Sequence, residues 1–171
     1  MHELAITAIG ADRPGIVAAV TRVLHERGGN LEDSAMTILG GHFAIMLLVA
    51  TDEDADSLRE ALTDATSELG LTVSVCPAEP SERHDEPTHL LSVYGADQPG
   101  IVAGVSGALA QIGANIVNLE TQMIGASDTP VYAMLIELET DDEAGVEAAV
   151  AAACERLGID HSLRAIDMET Y

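Results

Sequence analysis

The apolar residues of this chain fall into short blocks that alternate between two spacings. Residues 4–9 form a compact apolar block closed by Gly10, which predicts a strand. Over 14–27 the spacing changes. Ile16, Val17, Val20, Val23 and Leu24 recur at helical intervals and Gly28-Gly29 stops the run, so a helix is expected there. Residues 31–39 and 42–51 read as two further strands, joined by a Gly40-Gly41 hairpin turn. Over 56–69 the helical spacing returns, with Leu58, Ala61, Leu62, Ala65 and Leu69 on one stripe and Gly70 as the stop. Residues 71–76 close the series as a strand.

The same series then begins again. GADRPGIVAAV (10–20) returns as GADQPGIVAGV (95–105), changed only at Arg13/Gln98 and Ala19/Gly104. LHERGGNL (24–31) corresponds to LAQIGANI (109–116), and LGLTVSV (69–75) to LGIDHSL (157–163). FAIMLLVATD (43–52) corresponds to YAMLIELETD (132–141), after a longer hairpin that carries the extra GASDTP. Two tandem copies of one unit are therefore expected at 1–79 and 89–171. Residues 80–88 between them, rich in proline and charge, read as a linker.

Each copy runs strand, helix, strand, strand, helix, strand. This is the ferredoxin-like βαββαβ order, an α+β fold. Right-handed crossovers put both helices on one face of a four-stranded antiparallel sheet. The third strands, FAIMLLVA and VYAMLIEL, are apolar on both sides. The open sheet face is therefore expected to want cover, from the sister copy or from a second chain, and a homo-oligomer is expected.

Charge narrows the function. The formal net charge is −22, and all seven basic residues are Arg. Nucleic-acid binding needs a basic footprint to displace counterions, and an anionic membrane surface needs one too, so direct contact with either is not expected. No apolar run has the length of a membrane span or the layout of a signal peptide, which leads us to expect a cytoplasmic protein. The two cysteines, Cys76 and Cys154, are too few for a disulfide framework. An acidic, lysine-free, aromatic-poor composition fits a salt-accumulating microbe or a lysine-poor GC-rich genome equally well.

The candidate chemistry lies in the repeated loop. Asp12 is a good helix N-cap type, and Pro14 fits a first helical turn. Gly10 and Gly15 let the backbone come close to another object. A helix start of this kind is a seat for a small carboxylate. Asn30 and Asn115, each opening a second strand, offer an acceptor and two donors that suit an ammonium group or close a turn. Together these groups are able to hold a free α-amino acid. From spacing alone, a well-capped turn without a ligand explains them too.

Other chemistries are poorly supported. His84, Asp85, Glu86 and His89 have metal-ligand character, but they sit in the charged linker, and no metal or other cofactor is expected. There is no C-x-x-C pair and no phosphate-binding P-loop. Ser34, Ser106 and Ser162 lack an evident base. An acylphosphatase-like activity would need Arg and Asn on one loop, whereas Gln98 replaces Arg13 in the second copy. No enzyme activity is expected.

The pattern strand, G-A-D-x-P-G-I-V, helix, G-x-N-[LI], strand resembles the ACT domain, a small-molecule regulatory module. Two such units over nearly the whole chain, with no enzyme attached, resemble the stand-alone ACT proteins of the glycine cleavage repressor family. In that family amino-acid effectors sit between two modules, held by the loop after strand one and the start of strand two of the partner module. The resemblance implies one site lined by Gly10, Asp12, Pro14, Gly15, Ile16 and Asn30. It implies a second lined by Gly95, Asp97, Pro99, Gly100, Ile101 and Asn115. Serine-binding members carry His and Asn where this chain has Gly10 and Asp12, a departure from the serine-binding pattern. The implied output is contact with a protein partner, a transcription regulator or a metabolic enzyme. A scaffold for protein partners that binds no ligand is the alternative.

Overall fold

A computed structural model describes residues 1–78, 86–125 and 130–166. The chain divides into two compact units, Met1–Glu82 and Arg83–Tyr171, called here the first and second modules. The first contains β1 (His2–Ala11), α1 (Ile16–Glu26), β2 (Asn30–Leu39), β3 (His42–Thr51), α2 (Ala55–Ala65) and β4 (Thr72–Pro77). The second contains β5 (His89–Gly95), α3 (Ile101–Gln111), β6 (Asn115–Ile124), β7 (Val131–Glu139), α4 (Glu143–Leu157) and β8 (Asp160–Ala165). The sheets have the orders β2-β3-β1-β4 and β6-β7-β5-β8, and every paired strand is antiparallel.

Alternation along the central strands makes each core. Leu4, Ile6 and Ala8 of β1 pair with Val49, Leu47 and Ile45 of β3 on the helix side. There they pack with Ile16, Val20, Val23 and Leu24 of α1 and with Leu58 and Leu62 of α2. In the second module Leu91 and Val93 pair with Ile136 and Met134 under Ile101, Val105, Leu109, Val146 and Val150. Phe43, the one phenylalanine, is buried in the first core, and its counterpart Tyr132 packs half-buried at the edge of the second. The opposite sheet faces carry Ile9 and Met46 in the first module and Tyr94 and Leu135 in the second, all exposed.

The helices differ from the spacing-based expectation at their ends. The first begins at Ile16 rather than at residue 14, because Gly15 takes a left-handed conformation (φ 95°, ψ −7°) that no right-handed helix can include. Asp12 does not cap it, and no side chain does. The second helix is shorter than 56–69. It ends at Ala65, where buried Thr66 turns its Oγ1 back onto the Leu62 carbonyl at 2.8 Å, and Ser67–Leu69 continue as one 3-10 turn. Asp54 is its N-cap, accepting from the Ser57 N–H at 2.9 Å.

Candidate functional site

Each module has one corner where its first strand meets its first helix. In the first module Asp12, Arg13, Pro14 and Gly15 are all exposed there, and Ile16 drops into the core. The Asp12 N–H donates to the Gly41 carbonyl at 2.9 Å, which ties the corner to the β2–β3 hairpin. The Gly15 carbonyl accepts the first helical bond, from the Ala19 N–H at 2.9 Å. With no side chain capping α1, its first-turn amides stay available, and the positive end of the helix dipole faces the same way.

A groove of 480 Å³ opens beside this corner. Asp12, Gly15, Ile16, Val17, Met36 and Phe43 contribute to its lining. Its wall is mostly apolar, and Arg13 also contributes to the lining. Met36 and Phe43 were not expected in a site. Their signal is the register: Ile45 and Phe43 of β3 face Met36 and Ile38 of β2, so the helix side of β2 runs past the start of α1.

The second corner repeats the backbone. Gly100 has φ 95° and ψ −1°, and its carbonyl accepts from the Gly104 N–H at 2.8 Å. One side chain differs in role. Gln98, the counterpart of Arg13, donates its Nε2 to the Leu157 carbonyl at 2.6 Å. That carbonyl lies in the last turn of α4, where no intrahelical donor reaches it. Gln98 therefore fastens its corner to α4, whereas Arg13 has no ion-pair partner among the described residues.

The remaining expected site residues are placed elsewhere or do other work. A Cβ on Gly10 would stand 2.6 Å from Leu71 Cδ2, and one on Gly95 would stand 2.6 Å from Ile159 Cγ2. The close approach that these glycines allow is thus made by the protein's own side chains. Asn30 opens β2 opposite Ala50, which is paired with Glu3, while Gly10 is paired with Phe43. The two positions lie at opposite ends of the sheet, about 23 Å apart along β1 at the usual strand rise. Asn115 likewise lies far from Asp97, in a separate 290 Å³ pocket with Gly113, Glu139, Thr140, Asp141 and Asp142. Within one module, loop and Asn do not meet.

Titratable groups outside the corners have local explanations. The N-terminal ammonium, 2.7 Å from Asp52, holds that carboxyl below its ordinary value. Burial pushes the Cys154 thiol up, with Asp160 and Glu147 adding to the effect. His84 and Asp85 lie outside the described residues. Buried His89 instead accompanies Thr88 (Nδ1 to Oγ1, 2.8 Å) and Glu143 (3.6 Å). No metal-binding group of three or more His, Cys, Asp or Glu occurs among the described residues.

A family model of the ACT domain matches residues 2–76 and again residues 88–164. The chain belongs to the ACT-domain family. The glycine cleavage system transcriptional repressor of Escherichia coli (strain K12) is 29% identical over 177 aligned positions, covering 99% of this chain and 93% of that protein. A UPF0237 protein of Methanopyrus kandleri is 45% identical over 78 residues, covering 44% of this chain and 87% of its own. A crystal structure of a Galdieria sulphuraria protein superposes with a TM-score of 0.83 at 30% identity, covering 96% of this chain and 98% of that one. Membership in a family of regulatory modules, with full-length similarity to a repressor, makes this ACT protein a ligand-binding regulator rather than an enzyme. No helix among the described residues is long and apolar enough to cross a membrane.

Proposed function

We propose that this ACT protein senses a free amino acid and passes the signal to a protein partner in amino-acid metabolism. The ligand carboxylate would sit on the uncapped amides of α1 or α3, with its side chain along the helix start. The residues at stake are Asp12, Pro14, Gly15 and Ile16 in the first corner, and Asp97, Pro99, Gly100 and Ile101 in the second, whereas Gly10 and Gly95 receive Leu71 and Ile159 of the protein itself. Asn30 and Asn115 stand too far from the corners of their own modules. Their part in a site would require an ACT module that approaches in the reverse direction. Such a ligand shifts the assembly only if it binds the two arrangements unequally.

The observation that carries this reading is the uncapped left-handed glycine corner beside an open, mostly apolar groove lined in part by Arg13, which has no ion-pair partner among the described residues. The test is a calorimetric or thermal-shift screen of the common amino acids on the full chain, at low and high salt. At a ligand concentration of about 100 Kd the stabilisation is expected to reach about 2.7 kcal/mol. Arg13→Gln, which gives the first corner the residue of the second, is expected to weaken that response. Silence across the whole set would leave the ligand-free scaffold as the better account.

A further inference from the structure

A protein of net charge −22 meets an acidic partner only where its own carboxylates are absent. The face of the first sheet turned away from its helices is such a place. Paired residues cross it in rows from edge to edge. One row runs Ala35, Met46, Thr7, Ser74. The next runs Thr37, Ala44, Ile9, Thr72. Neither contains a charged residue, and Glu3, Asp33 and His42 lie in rows nearer the two ends of the sheet. A basic partner would be drawn to carboxylates, and these rows offer it none. They suit an occupant as acidic as the chain itself.

The second sheet supplies the comparison within the same molecule. Its corresponding rows carry Glu120 in line with Leu135, and Asp160 in line with Tyr94. The fold does not require an uncharged face, since the second sheet keeps the equivalent strand order with these charges in place. Shape points to a second copy. Met46 and Ile9, each 54% exposed, stand on opposite corners of a square whose other corners are Thr7 and Ala44. Stack two such squares about a two-fold axis that runs along or across the strands. Each large side chain of one copy then falls over a small one of the other. Aligned sheets pack in this way at about 10 Å, with their side chains interdigitated.

We infer that two copies of this chain associate through the open face of the first sheet, sheet against sheet, centred on Met46 and Ile9. The contact buries exposed apolar side chains of both copies and brings no carboxylate of the two central rows against another. Cys76, one row away on the edge strand β4, lies at its margin. The association does not depend on the amino-acid reading, because no ligand enters it.

Sedimentation equilibrium of the full chain, at about 0.15 M and about 1 M salt, tests this. The wild type is expected to associate, more tightly at high salt. Met46→Glu and Thr37→Glu, both at exposed positions, each set like charges against one another across the two-fold. Each is expected to raise the dissociation constant more than about tenfold while far-UV circular dichroism is unchanged. Gln122→Glu, at the place on the second sheet that matches Thr37, should leave the association intact. A wild type that is monomeric at both salts would overturn the inference. So would an association that survives both substitutions on the first sheet, or one that Gln122→Glu disrupts equally.

Discussion

Gly15 and Gly100 hold φ near 95°, a conformation that costs any residue with a Cβ about 1–2 kcal/mol. Neither has an atom within 4 Å of where that Cβ would go, so the cost is one of backbone alone. Gly15→Ala is expected to lower unfolding stability by about that amount in urea titration. Gly107→Ala should do the reverse. It lies inside α3 with open space at its Cβ position, and the exchange should add about 0.5–1 kcal/mol. Two of the aspartates at helix starts separate in the same way. Asp54→Ala loses a cap and should cost about 1 kcal/mol. Asp12→Ala should change stability by less than about 0.5 kcal/mol, since its carboxylate caps nothing. The sequence favoured Asp12 as a cap because residue type was visible there and the sign of φ at Gly15 was not.

At the level of elements, the apolar spacing located every strand and helix, because each core stripe is set by residues that the period exposes directly. The ends were less legible. α2 ends at Ala65 with Thr66 as its C-cap, and a run of apolar residues through Leu69 gave no hint of it. α4 offers a chemical test of its packing. Cys154 is 2% exposed beneath that helix, and its thiol is held above the ordinary value by burial. Cys76 on β4 is exposed. A maleimide at neutral pH is expected to label Cys76 readily and Cys154 only at the rate at which the second module opens, since the thiolate is the reacting form. Equal labelling of both would contradict the buried placement of α4.

For the whole molecule, the duplication was plain from the loop repeat, and with it the fold of both halves. What the linear order concealed was distance. Asn30 follows α1 after a few residues, yet α1 has by then returned the chain to the end of the sheet where β1 begins. Pairing register, which no local pattern contains, separates the loop from the Asn. The charge acts at this scale too. With 29 acidic residues against seven Arg, the folded chain repels itself, and raising salt from about 0.1 M to about 1 M shortens the screening length from about 10 Å to about 3 Å. The melting temperature is therefore expected to rise over that range. A fall would mean that paired charges, such as Arg27 with Glu53 at 3.3 Å, outweigh the repulsion.

The placement of the aromatic rings makes the two halves optically distinct. Tyr94 and Tyr132 belong to the second sheet, the third tyrosine is Tyr171, there is no tryptophan, and the first module offers only the weak chromophore of Phe43. Ultraviolet emission from the intact chain thus originates in its C-terminal half. An unfolding curve recorded by fluorescence follows that half alone, while the amide signal sums both, and any gap between the two curves measures how independently the halves melt.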